Sequence, residues 1–258
     1  MTGMTAFSAN LGFLWTDRPL ADAIRAAHNA GFDAVECHWP YDEDAADVAT
    51  ALAQTGLPML GLNAPRGTVE AGENGLAALV GREEEARASI DAALGYAKAI
   101  NAGNIHVLSG IAHGDAAEAC FIETLRYATD AAAQDGRTIL IEPLNHHDAP
   151  GYFLTHTDQA RRIIEAVGAP NLKLMFDCYH VQIMEGDLTR RIDANLDIIG
   201  HIQFASVPLR GRPDDGEVNY AHIFAHLAAA GYAAPLGAEY RPEDGNTDAS
   251  LGWMTGLR

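Results

Sequence analysis

Leu172-Lys173-Leu174-Met175-Phe176-Asp177 is a short, mostly apolar run that stops on a carboxylate. Three other runs share its plan: Ile139-Leu140-Ile141-Glu142, His201-Ile202-Gln203-Phe204 and Leu236-Gly237-Ala238-Glu239. The polar residues at their ends, Glu142, Asp177, Gln203 and Glu239, fall 35, 26 and 36 residues apart, each gap about one strand-plus-helix unit. Runs of this kind at that spacing predict parallel strands joined by helices. Working outward, strand-like segments are expected at Ala6–Leu11, Ala34–Cys37, Met59–Asn63, Asn104–Leu108, Thr138–Glu142, Leu172–Asp177, Ile198–Phe204 and Leu236–Glu239. Eight of them in 258 residues predict an α/β fold closed into a (β/α)8 TIM barrel rather than an open sheet.

The intervening sequence carries helix punctuation. Asp17 with Pro19 predicts the start of a helix that runs through Ile24 and Ala27 and stops at Gly31. Arg82–Ile100 is rich in Ala and Glu, with apolar positions at Ile90, Leu94 and Ala97. Thr157, Ala160, Ile163, Ile164 and Val167 predict a short amphipathic helix that ends at Gly168-Ala169-Pro170. Asn63–Arg82 and Ser206–Asn219 read as functional loops; the first, at roughly 20 residues, is longer than an ordinary connection. No linker or shift in composition divides the chain, so residues 1–258 are expected to form a single domain.

The chain has 17 Lys+Arg against 35 Asp+Glu, a formal net charge of −18. Without a Lys/Arg cluster, that field repels phosphate backbones and argues against a nucleic-acid partner, while it suits metal ions. The cysteines, Cys37, Cys120 and Cys178, are odd in number and form no CxxC, as expected in a reducing compartment. Met1–Asn10 lacks the marks of a signal peptide, and no stretch reaches about 18 apolar residues. The expectation is a cytoplasmic protein with no membrane partner, acting on a small molecule and open to homo-oligomer formation.

In such a barrel the active site lies at the C-terminal ends of the strands. Neighbouring strands are about 4.8 Å apart, so Glu142, Asp177, Gln203 and Glu239 can bring four oxygens to one ion. Carboxylate and amide oxygens are hard donors that suit Mg²⁺ or Mn²⁺ better than Zn²⁺. His180, just beyond Asp177, can hydrogen-bond a substrate oxygen. His146, in Asn145-His146-His147-Asp148, is a candidate pocket residue. Arg210, on the loop after strand seven, can pair with a substrate carboxylate. Glu36 ends strand two and is either turned into the mouth or structural. His106 reads as a packed barrel residue, and His222 and His226 as outer-ring helix residues without an HExxH motif. The cysteines have no activating neighbour. With no Walker loop, and no GxGxxG after strand one, a nucleotide cofactor is not indicated.

These motifs together resemble the hydroxypyruvate isomerase family, within the xylose-isomerase-like divalent-metal sugar isomerase/epimerase barrels. The similarity runs from Phe7-Ser8-Ala9-Asn10-Leu11 and Gly31-Phe32-Asp33-Ala34-Val35-Glu36, through Ile141-Glu142-Pro143-Leu144-Asn145-His146, Asp177-Cys178-Tyr179-His180 and Gly200-His201-Ile202-Gln203, to Glu239-Tyr240-Arg241-Pro242. It implies a metal held by Glu142, Asp177, Gln203 and Glu239, with Glu142 and Glu239 as the acid/base pair. It also implies that His180 and Arg210 contact substrate; Asn10 and His146 are further candidates for substrate binding. The implied reaction interconverts hydroxypyruvate and tartronate semialdehyde through an enediolate. A 2-oxotetronate isomerase and a ketose 3-epimerase are the nearest alternatives, with a non-catalytic sugar-binding barrel behind them. Abasic-site endonucleases share the barrel but use several zinc ions and many histidines, which the charge and the oxygen-rich set disfavour. The sequence departs from the family pattern at Ala64-Pro65-Arg66-Gly67, at Cys37-His38-Trp39 and at Arg241, which replaces a common lysine. His38, Trp39 and Arg66 therefore bear on substrate choice.

Overall fold

A computed structural model describes residues 5–258. The eight strands are β1 (Phe7–Asn10), β2 (Ala34–Glu36), β3 (Gly61–Asn63), β4 (Asn104–His106), β5 (Thr138–Ile141), β6 (Leu172–Asp177), β7 (Ile199–Phe204) and β8 (Leu236–Ala238). They are parallel, in the order β2-β1-β8-β7-β6-β5-β4-β3. The remaining gap is closed by a parallel bridge between Val35 and Met59, with Leu60 N donating to the Val35 carbonyl at 2.7 Å. The result is a closed xylose-isomerase-like TIM barrel. The strands sit where the apolar runs predict, and most are shorter by a residue or two because the chain turns outward into the loops that build the site.

The helices are α1 (Leu20–Asn29), α2 (Ala45–Thr55), α3 (Glu83–Ile100), α4 (Asp115–Ala133), α5 (Thr157–Val167), α6 (Cys178–Met184), α7 (Leu188–Asn195), α8 (Tyr220–Ala229), α9 (Thr247–Ser250) and α10 (Trp253–Leu257). Pro19 holds the N-cap position of α1 and offers no capping side chain; Glu43 Oε1 accepts from Leu20 N at 3.3 Å, while Asp17 lies 3.7 Å from Arg18 Nε. The predicted stop holds, since Gly31 takes a left-handed φ of 87°. The long loop after β3 is folded on itself. Arg82 pairs with Glu73 at 2.6 Å, Glu73 accepts from Thr68 N at 2.7 Å, and Gly75 bridges Ser109.

Two-residue alternation sorts the strand side chains. Phe7 points to the helical layer, where its ring lies 5.8 Å from Phe204, 5.6 Å from Phe224 and 5.0 Å from Trp253. Removing such a buried ring costs about 3–5 kcal/mol. The opposite parity faces the barrel interior: Asn10, Glu36, His106, Glu142, Asp177, Gln203 and Glu239 are all buried. A sequence that buries so many polar groups in one place must pair them with each other or with a ligand. Gly237 makes room for this set, because a Cβ there would stand 2.7 Å from Glu36 Oε1 and 2.9 Å from Gln203 Cγ.

Candidate active site

The strand ends bring Glu142, Asp177 and Glu239 around one guanidinium. Arg210 Nη2 donates to Glu239 Oε2 at 2.7 Å and to Asp177 Oδ2 at 3.3 Å, while Nη1 reaches Asp148 Oδ2 at 3.3 Å. The rings of Phe13 and Tyr179 flank it at 4.9 and 4.8 Å. Burial opposes the charge on Arg210, but Glu239, Asp177 and Glu142 outweigh it and raise its pKa. Glu239 Oε1 is bound in turn by His38 Nε2 at 2.8 Å. Burial pushes the Glu239 carboxyl up; Arg210 and His38 more than offset this and hold it well below the usual carboxylate range.

Glu142 is placed differently. Its Oε1 is buried without a hydrogen-bond partner, and its Oε2 lies 3.6 Å from His106 Nδ1. Burial, reinforced by Glu239 and Asp177, pushes its pKa far up. Asp177 is raised to about 7 by burial, against the pull of Arg210; its Oδ1 accepts from Tyr179 N at 2.8 Å and so caps α6. His180 Nδ1 accepts from Asn145 N at 3.0 Å, which places its proton on Nε2, 3.6 Å from Asp177 and 3.9 Å from Glu142. Burial and Arg210 lower the pKa of that imidazole, so it faces the carboxylates as a neutral donor.

Beneath this level lies a second polar layer. Glu36 Oε1 accepts from Asn10 Nδ2 at 3.0 Å and Gln203 Nε2 at 2.8 Å, and its Oε2 pairs with His201 Nε2 at 2.6 Å. Burial lowers the His201 pKa, but Glu36 reverses the sign and raises it overall. With its nitrogen committed downward, Gln203 keeps a buried Oε1 that has no partner. His201 was open to detection, since it shares inward parity with Gln203 two residues on. Glu36 is thereby a structural partner of the site rather than a pocket-lining group.

The other expected residues divide. Arg210 is in the pocket, where its donors pair with the protein carboxylates Glu239, Asp177 and Asp148. Asn10 lies below the pocket with both ends occupied, by Glu36 and by Gly12 N at 2.9 Å. His146 is exposed and turned away, because Asn145 Oδ1 accepts from His147 N and Asp148 N and so directs the turn outward. Asp148 and Ala149, rather than His146, line the pocket from this loop. His106 is packed, as expected, yet lies beside Glu142; burial lowers its pKa to about 3. His222 and His226 lie on α8, where His226 pairs with Asp193 at 2.7 Å. The thiols of Cys37 and Cys178 are buried with raised pKa values.

A pocket of about 230 Å³ opens over Glu142, His180, Arg210 and Glu239. A larger depression of about 600 Å³, lined by Asp130, Arg137 and Asn171, lies at the opposite end of β5, away from these groups. Ligand atoms of Glu142, Asp177 and His180 lie within 4.8 Å of one another. Two buried oxygens without partners, Glu142 Oε1 and Gln203 Oε1, are what an oxygen-seeking cation would satisfy. The donor set therefore fits a divalent metal ion. No helix among the described residues is long and apolar enough to cross a membrane.

The family model described as xylose isomerase-like TIM barrel matches residues 24–257. The chain is 45% identical to the 2-oxo-tetronate isomerase of Cupriavidus necator, over 97% of this chain and 98% of that protein. It is 39% identical to the hydroxypyruvate isomerase of Escherichia coli, over 99% of this chain and 100% of that protein. The crystal structure of AP endonuclease, family 2, from Brucella melitensis superposes with a TM-score of 0.94 at 43% identity, covering 99% of this chain and 100% of that one. The chain belongs to the xylose isomerase-like TIM barrels and, within them, to the hydroxypyruvate isomerase family.

Proposed function

We propose that this chain is an isomerase that interconverts hydroxypyruvate and tartronate semialdehyde with the help of Mg²⁺ or Mn²⁺. The carrying observation is that Glu142 and Glu239, three strands apart around the barrel, face one small pocket with metal-capable oxygens between them. Glu142, Asp177, Gln203 and Glu239 would hold the cation. When bound, such a cation supplies Lewis-acid polarisation of a carbonyl and charge to balance an enediolate. The two glutamates move the proton: one removes it from the carbon that bears the hydroxyl, and one returns a proton to the neighbouring carbon. His180 Nε2–H donates to a substrate oxygen, and His38 with Arg210 fixes the Glu239 carboxylate.

A second reading, isomerisation of 2-oxotetronate, is favoured by the 45% identity to the Cupriavidus protein. The chemistry is shared, since in both acids the proton is delivered to the carbon next to the carboxylate. The name of the Brucella structure raises a nuclease reading, which the net charge of −18 opposes. Turnover of hydroxypyruvate, 2-oxotetronate and free ketoses, with and without added Mn²⁺, tests the proposal. Near-native turnover by both Glu142→Gln and Glu239→Gln, or activity after exhaustive chelation, would overturn it.

A further inference from the structure

A short 2-oxo acid must bring a carboxylate into a chain with a net charge of −18. Most arginines of this chain are already neutralised: Arg82, Arg126, Arg161 and Arg191 pair with carboxylates outside the pocket, and Arg210 does so within it. Among the described residues, four arginines lack a carboxylate partner. Arg137 donates to the Ala102 carbonyl, and Arg87 lies 5.0 Å over the Tyr127 ring. The other two, Arg66 and Arg241, both line the active-site pocket and have no side-chain hydrogen bond.

Arg66 is held ready. Its guanidinium carbon stands 3.8 Å over the centroid of Trp39. Trp39 is fixed by its indole N–H, which donates to the Ala64 carbonyl at 3.1 Å. The Arg66 carbonyl accepts from Gly75 N at 2.9 Å, which ties down the backbone of the loop. Stacking occupies one face of the planar guanidinium and leaves its edge, the fork that matches a carboxylate, available. Arg241 is more open: it is exposed on the loop after β8, 5.2 Å from the Phe13 centroid.

We infer that Arg66, stacked on Trp39, is the residue that binds the substrate carboxylate, and that Arg241 is a rim charge that draws the anion in. This rests on the proposed reading of the pocket as a 2-oxo acid site and assigns the end at which the acid is recognised. It also supplies a reason for the acid to be preferred over a neutral ketose. Loss of a charged hydrogen-bond partner corresponds to about a 10- to 100-fold change in affinity.

The test is calorimetric binding of D-glycerate and of its neutral counterpart glyceramide to the Mn²⁺-loaded chain. Neither ligand can isomerise, so binding is read apart from turnover. The wild type is expected to bind glycerate more tightly. Arg66→Ala should weaken glycerate about 10- to 100-fold and leave glyceramide within about twofold, with only partial recovery in Arg66→Lys. Arg241→Ala should give a smaller loss that fades as salt is raised. Equal binding of the two ligands by the wild type, no detectable glycerate binding, or an equal loss for both in Arg66→Ala overturns the inference. If the selectivity holds while no 2-oxo acid is turned over, the proposed reaction fails and the acid-binding role of Arg66 stands.

Discussion

Replacing Glu36 with Ala probes how the second polar layer supports the first. Glu36 is buried, accepts from the Asn10 and Gln203 amides, and pairs with His201. Its removal strands three buried partners at about 1–3 kcal/mol each. Relaxation and water entry limit the sum, so a loss of about 3–6 kcal/mol is expected, or roughly 6–24 °C in Tm for a chain of this size. The more telling effect is on Gln203. Its amide points nitrogen-down only because Glu36 accepts there, so without Glu36 it is free to flip and present NH₂ to the cation site. Loss of such an orienting partner typically lowers metal affinity by about 10- to 100-fold. Mn²⁺ affinity by calorimetry, in wild type, Glu36→Ala, Gln203→Ala and the double variant, separates orientation from general damage. The Glu36 effect on affinity should vanish once Gln203 is Ala. A full effect that persists in the double variant, or Mn²⁺ affinity within about twofold of wild type in Glu36→Ala, refutes the reasoning.

Arg210→Met removes the guanidinium that pairs with buried Asp177 and Glu239, so the metal-free chain should lose about 3–5 kcal/mol, with much of it regained on adding Mn²⁺; thermal melts with and without metal check this. Gly12→Ala would place a Cβ 2.0 Å from His38 Nδ1, displacing the ring from Glu239. It should cost about 1–3 kcal/mol by overpacking and depress kcat/KM, read by melts and turnover side by side. Glu142→Gln and Glu239→Gln should each lower kcat by about 10²–10⁴-fold while retaining the fold by circular dichroism.

The fold was legible because a parallel barrel repeats one simple pattern. Each strand is an apolar run of a few residues at one-unit spacing, and the segment Leu172–Asp177 carries the same bounds in sequence and structure. The four polar strand ends were legible for the same reason: parity and position place them at one mouth. What stayed hidden depends on long-range contact. Nothing near Arg210 in sequence shows that Asp148, 62 residues earlier, and Glu239, 29 later, would occupy its guanidinium. The placement of Asn10 and His146 depends on such contacts too: Asn10 faces inward and is bonded to Glu36 beneath the pocket, and the turn after Asn145 leaves His146 exposed. The pairing of His38 with Glu239 spans 201 residues and rests on Gly12 having no side chain, which a linear reading does not reveal.

The central claim is that Glu142 and Glu239 pass a proton between adjacent carbons of a short 2-oxo acid with a divalent cation present. Its most direct test is solvent-deuterium exchange followed by proton NMR, with hydroxypyruvate and the Mg²⁺-loaded chain in D₂O. Loss of signal from one C3 hydrogen and deuterium at C2 of the product are expected, both abolished by chelation and in the Glu142→Gln, Glu239→Gln double variant, with deuterium at C2 strongly slowed in each single variant. Exchange that continues in the Glu142→Gln, Glu239→Gln double variant, or no exchange with hydroxypyruvate or 2-oxotetronate in the metal-loaded wild type, would contradict it.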